Sequence, residues 1–280
     1  MSIRLDLATP LAGVLSELDA LLEHPVDLLV IGAEARDILL AELSPELKAA
    51  ATTDVDLVLA VDDWQSYVET FAPLTPFGTR GMMFTVAGIR VDILPFGSVE
   101  EPSGTIRPPW MNEPFSVGGM REVFATATPL ALPAEWRLSC RIPTIAGFAA
   151  LKLQAWVERS RQGVTKDAGD LGIAMSWFVD SDEAIDCLVN EQSALLRAPT
   201  FDLHAAAAHL LGREIARLLG KDRVHELIAS WDGPSRDRMA RALGSRGLGR
   251  AVGIGEQTRA AEMLDRVAEG LADAYLDPAD

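Results

Sequence analysis

TTDVDLVLAVDD, residues 52–63, sets two carboxylates on alternate positions at the start of an apolar run, Leu57-Val58-Leu59-Ala60-Val61. The run is short and aliphatic, and it predicts a buried strand over 54–61. Side chains alternate faces along a strand, so Asp54 and Asp56 project to the same side with Cβ atoms about 7 Å apart. Two charges at that spacing can reach a single ion or ion pair.

Working outward from this strand, LAGVLSELDALLE (11–23) carries apolar residues at helical intervals and is ended by His24-Pro25, because proline disfavours helical geometry in the residue before it. VDLLVIG (26–32) predicts a strand closed by Gly32, and AEARDILLAEL (33–43) a second helix. Downstream, MFTV (83–86) and IRVDILPF (89–96) read as a hairpin turning at Ala87-Gly88. Gly97 to Gly119 has the Pro, Gly and Ser content of an ordered loop, with Trp110 and Phe115 to anchor it. REVFATATPLAL (121–132) reads as strand-like and RIPTIAGFAALKLQAWVERS (141–160) as a helix. Most of the remainder is helical, including HAAAAHLLGREIARLLG and GEQTRAAEMLDRVAEGLADAY. The expected class is α+β, a mixed β-sheet core with flanking helices over 1–135 followed by an α-helical domain over 136–280.

Composition bounds the function. A chain of 280 residues with 49% apolar content can bury a sizeable core. A net charge of −16 opposes a wide basic surface for long nucleic acids, although a small basic patch is compatible with it. MSIRLDLATP lacks the pattern of a secretory signal, and no stretch of about 18 apolar residues could span a bilayer. The expectation is a soluble, cytoplasmic protein without a membrane partner. Cys140 and Cys187, the only cysteines, are too few for a disulfide scaffold and read as buried thiols. P-loop, zincin and α/β-hydrolase motifs are absent, and His204 and His209 are about 140° apart around a helix, poor spacing for a shared metal.

Asp92, in Arg90-Val91-Asp92-Ile93-Leu94, would complete a three-carboxylate cluster if its strand lies beside the first. Three such acids repel one another unless cations neutralise them, and oxygen-only ligands favour Mg²⁺ or Mn²⁺ over zinc. Ile31-Gly32-Ala33 sits between a strand and a helix N-terminus, where backbone N–H groups can hold an anion. Lys152, on an otherwise apolar helix, is either a lysine whose stem covers the core or a point charge for a triphosphate. Asp167 and Asp170 lie three apart after Lys166 and suit either ion pairing or catalysis.

Together these residues resemble the DNA polymerase β-like nucleotidyltransferase superfamily, and within it the abortive-infection type that includes type IV toxins. The likeness spans residues 26–175 and rests on Gly32, Asp54-Val55-Asp56-Leu57, Asp92, Ala150-Leu151-Lys152 and Lys166-Asp167-Ala168-Gly169-Asp170-Leu171. The resemblance implies that Asp54, Asp56 and Asp92 are catalytic and hold Mg²⁺ or Mn²⁺, with an NTP as substrate. It further implies that Gly32 and Ala33 meet the phosphates through backbone donors, and that Lys152, Lys166, Asp167 and Asp170 complete the far wall of the site. The family's turn is usually Gly-Gly or Gly-Ser, and an arginine often precedes its first acid; here Ala33 follows Gly32, and Thr52 and Thr53 could supply hydroxyls instead. The implied activity is transfer of an NMP to an acceptor hydroxyl. The acceptor is an RNA, especially a tRNA 3′ end, or a protein side chain or small molecule; a toxin would imply a cognate antitoxin. Arg236, Arg238, Arg241, Arg246 and Arg250 are either an RNA contact or a solvated helix face. The alternative is a catalytically inactive nucleotide-binding or partner-binding module with the same fold.

Overall fold

The computed structural model describes residues 3–43, 54–102, 104–197, 202–245 and 257–276. They form two compact units, Met1–Thr144 and Ile145–Asp280. The first is mixed α+β and the second is helical.

The first unit is built on the strands β1 (Ile3–Arg4), β2 (Asp27–Ile31), β3 (Asp54–Val61), β4 (Thr75–Pro76), β5 (Met83–Val86), β6 (Ile89–Gly97), β7 (Glu100–Glu101), β8 (Thr105–Ile106), β9 (Phe115–Ser116), β10 (Thr128–Ala131) and β11 (Ser139–Ile142). Its helices are α1 (Pro10–Leu21), α2 (Gly32–Leu43), α3 (Trp64–Phe71) and α4 (Met120–Thr126). Eight strands form one sheet in the order β1-β10-β11-β2-β3-β6-β5-β4, and β7-β8-β9 form a small second sheet. At the centre β2 runs antiparallel to β3, and β3 runs parallel to β6. Leu28, Leu29, Val30, Leu57, Val58, Val91 and Ile93 are all buried there. Because Leu57 and Val58 point to opposite faces, this part of the sheet is covered on both sides.

Local chemistry explains the elements. Thr9 caps α1 through its hydroxyl, which accepts from Ala12 N, and Asp63 caps α3 by accepting from Ser66 N. Ala87 (φ 50°) and Gly88 (φ 74°) both adopt the left-handed conformation that a two-residue hairpin turn requires. Pro95 lies inside β6, but pairing with β5 stops at Asp92, so its missing N–H interrupts no ladder bond on that side.

Three segments differ from the reading of their sequence. Gly97–Gly119, expected as a loop, carries the short strands β7, β8 and β9. Met120–Thr126, expected as part of a strand, is helical: Gly119 in the left-handed region opens the turn, and Met120 and Val123 bury one face at helical spacing. The helix expected from residue 141 starts instead at Ile145, because Ile142 precedes Pro143 and stays extended in β11. As β11 pairs with β2, the first unit runs to Thr144, beyond the boundary expected at 135.

The second unit comprises α5 (Ile145–Arg159), α6 (Lys166–Val179), α7 (Asp182–Asp186), α8 (Ser193–Arg197), α9 (Leu203–Ser230), α10 (Gly233–Ser245) and α11 (Gln257–Leu276). Trp156 is fully buried, and its indole N–H donates to Ser235 Oγ at 3.1 Å. Cys140 is buried and its thiol is pushed up to about 12 by that burial, whereas Cys187, expected to be buried, is half-exposed. No helix among the described residues is long and apolar enough to cross a membrane.

Helices α9 and α11 approach closely through two glycines. A Cβ on Gly212 would overlap the carbonyl oxygen of Val267 and lie 3.0 Å from Leu271 N, and one on Gly270 would overlap the carbonyl oxygen of His209. The overlapped atoms are backbone and cannot rotate away. Gly212→Ala or Gly270→Ala should therefore lower stability by about 1–3 kcal/mol, as overpacking does. Chemical denaturation followed by circular dichroism checks this, and an unchanged midpoint would contradict the close approach.

Candidate active site

The acids meet on one face of the first unit's sheet. In the parallel ladder of β3 and β6, Asp56 lies opposite Asp92 and Asp54 lies opposite Arg90. Paired residues in register point to the same side, so the carboxylates of Asp54, Asp56 and Asp92 and the guanidinium of Arg90 share that face. All four are partly exposed, while the next residues along each strand sink into the core. A charged end on an otherwise apolar strand is stable only where the covering elements stop and water or a counter-charge can reach it.

Strand β2 brings the glycine turn to the same place. Ile31 pairs with Asp56, and the chain then turns at Gly32 (φ 69°) into α2. A Cβ on Gly32 would strike the Asp56 carboxylate, whose Cγ lies 3.0 Å from that position. Glycine is thus required twice, for the backbone angle and for the space. The positive end of α2 lies beside Asp56 as a result.

The electrostatics are uneven. Arg90 Nη2 forms an ion pair with Asp54 Oδ2. Asp92 Oδ1 is buried without a hydrogen-bond partner. Burial raises the Asp92 carboxyl above the usual aspartate range, with Asp54 adding to the effect and Arg90 and Arg80 opposing it. Arg80 is held from outside the sheet: its carbonyl accepts from Trp110 Nε1 at 2.8 Å, and its guanidinium lies over the Phe115 ring at 5.7 Å. Trp110 itself sits against Trp64 and Tyr67, and the Tyr67 hydroxyl donates to the Ile93 carbonyl at 2.7 Å.

Among the described residues, no group of three or more His, Cys, Asp or Glu is arranged to hold a metal ion as it stands. Asp54 is engaged by Arg90, whereas Asp56 and Asp92 face each other across the ladder. The donor set is oxygen-only and includes a buried carboxylate oxygen without a partner, which suits a hard divalent cation. Asp56 and Asp92 are the residues that would hold such a cation, and Asp54 beside them is in an ion pair with Arg90.

Thr52 and Thr53 are outside the described residues, as are Arg246 and Arg250. Ala33 is half-buried in the first turn of α2. In the second unit Lys152 is buried and its Nζ donates to Asp170 Oδ2 at 2.6 Å, and it also lies 5.1 Å from the Phe148 ring. Asp167 is fully buried and accepts from Arg159 Nε and Nη2 at 3.0 and 2.8 Å. Both pairs link α5, or the residue that ends it, to α6. Lys166 is exposed at the start of α6. Arg90 and Arg80 were not anticipated. Arg90 could have been: it precedes Asp92 by two on a strand and so must share its face.

A carboxyl whose pKa is raised on folding binds its proton more tightly in the folded state. Its stabilising contribution is complete below the unfolded pKa and is lost as pH rises through the folded one. Without divalent cations, wild-type protein should therefore lose stability relative to Asp92→Asn as pH rises from about 4, the ordinary aspartate value. Thermal melts of both proteins across that range test the effect, and parallel curves would show that Asp92 is not in this environment. Comparison with protein-family models, with curated proteins and with solved structures found no match to this chain.

Proposed function

We propose that the protein is a metal-dependent nucleotidyltransferase that moves an NMP from an NTP to an acceptor hydroxyl. The observation that carries this reading is the in-register pairing of Asp56 with Asp92, with Asp54 on the same face and Gly32 against Asp56. Carboxylates converging beside a glycine-opened helix N-terminus suit a polyphosphate that arrives with its cation. The nucleotidyltransferase-like core proposed here is the first unit.

Each residue has a role that follows from its surroundings. Asp56 and Asp92, joined by Asp54, would hold Mg²⁺ or Mn²⁺. When bound, the cation supplies charge neutralisation at the phosphates and stabilises the entering and departing oxygens of an in-line displacement. Gly32 lets phosphate oxygens approach the backbone N–H groups of Gly32 and Ala33. Asp92, whose Oδ1 is buried without a hydrogen-bond partner, would orient the acceptor hydroxyl and take its proton. Attack of that hydroxyl oxygen on the α-phosphorus breaks the bond to the β-phosphate bridging oxygen, and pyrophosphate leaves. Lys152, Asp167 and Asp170, being committed to buried ion pairs, serve the second unit's packing in this reading.

The acceptor is a tRNA or other RNA 3′ end, or a protein or small-molecule hydroxyl; a role as the toxin of a type IV pair, with a cognate antitoxin as partner, belongs to the RNA case. The ion pair of Arg90 with Asp54 supports a second reading, an inactive nucleotide-binding or partner-binding module. Incubation with each α-labelled NTP, Mg²⁺ and total RNA or lysate separates the two. Label transfer is expected and should fall by at least about 100-fold in Asp54→Ala, Asp56→Ala and Asp92→Asn proteins, the scale of losing a metal ligand or base. Asp92→Asn should do so without loss of folding, since it relieves like-charge repulsion. Transfer undiminished in Asp54→Ala or Asp56→Ala protein would refute the site, and NTP binding with no transfer to any acceptor would favour the module.

A further inference from the structure

Arg90 is a cation built into the ladder that carries the acids. It lies directly opposite Asp54, two residues before Asp92, and donates to Asp54 Oδ2 through Nη2. The pair is incompletely satisfied: Arg90 Nε is buried with no hydrogen-bond partner, and across the cluster so is Asp92 Oδ1. A buried donor without a partner costs free energy, so this arrangement holds the guanidinium less firmly than a fully bonded one would. The side chains of Arg90 and Asp54 are also 39% and 34% exposed, which leaves the guanidinium a route outward to solvent and ligand.

The same carboxylate cannot give its full charge to two cations. We propose that Arg90 is a resident counter-cation that competes with the divalent ion for Asp54 and, once displaced, binds the substrate's triphosphate. This rests on the nucleotidyltransferase reading above and adds to it a residue and an order of loading. With no phosphate present, displacement leaves the guanidinium without its anion, so a divalent cation alone binds weakly. With an NTP present, the freed guanidinium gains phosphate oxygens, for which its planar fork is well suited. Cation and NTP therefore load together, and Arg90 acts as a positioning residue for Asp54 before loading and as a phosphate ligand after it.

The competition predicts opposite signs for two affinities. Mn²⁺ is titrated into wild-type, Arg90→Gln and Arg80→Gln proteins, with free Mn²⁺ counted by electron paramagnetic resonance, and the Mn²⁺ complex of a non-hydrolysable NTP analogue is titrated by calorimetry. Arg90→Gln should bind Mn²⁺ alone about fivefold more tightly, the scale of a part-exposed ion pair, and bind the analogue complex several-fold more weakly. Arg80→Gln, which removes a nearby charge but no contact with Asp54, should move Mn²⁺ affinity by less than about twofold. Should Arg90→Gln fail to fold, Arg90→Lys keeps the charge and loses the fork: Mn²⁺ affinity should stay near wild type while the analogue weakens. Unchanged or weaker Mn²⁺ binding in Arg90→Gln, a tightening equalled by Arg80→Gln, or both affinities moving the same way would overturn the proposal while leaving the cation site intact. Absence of Mn²⁺ binding in wild-type and Arg90→Gln proteins alike would instead defeat the nucleotidyltransferase reading itself.

Discussion

The parallel ladder between β3 and β6 is the constraint on which the site depends. Its register places Asp56 beside Asp92 and Asp54 beside Arg90, and a slip of one residue would turn one partner of each pair to the opposite face. Nothing in the acids themselves enforces that register, since like charges repel. It is set by the apolar halves of the same strands, where buried Leu57 lies opposite buried Ile93 and buried Val58 opposite the half-buried Leu94. The folding energy of the buried half holds the charged half in a conformation it would not choose, with the Arg90 guanidinium offsetting part of the repulsion.

Much of this was legible in the sequence because strand alternation has a period of two and needs no knowledge of the rest of the chain. Asp54 and Asp56 had to share a face wherever the strand lay, and the Ala87-Gly88 turn delimited the strand carrying Asp92. What alternation could not supply was the neighbour order, which comes from a crossover through α3, β4 and β5. The same rule applied to Arg90 would have found its place beside Asp92. Met120–Thr126 misled because Val, Phe and Thr suit either state, and the deciding residue, Gly119, lies just before the segment. β11 was hidden by a helical pattern that starts only after Pro143.

In the second unit, residue types suited to chemistry are engaged in ion pairs with one another. Lys152 and Asp170, and Arg159 and Asp167, face one another at hydrogen-bonding distance in largely buried surroundings. Leaving any one of the buried members without its partner would cost more than the pair contributes, which makes both pairs sensitive to single substitutions. From sequence, a lysine on an apolar helix and two acids three residues apart look the same whether they face a ligand or each other. The distinction lies in helix packing, which residue spacing along one segment does not encode.

The indole of Trp110 bears on how this protein can vary. It lies in the Pro- and Gly-containing segment after β6, donates to the Arg80 carbonyl ahead of β5, and fills the space where Gly81 would carry a side chain. One hook therefore ties this segment back to the chain ahead of β5, at Arg80. Gly81 is thereby held to glycine twice over, by its left-handed backbone (φ 65°) and by the indole packed against it, so shrinking residue 110 alone would not admit a side chain at 81.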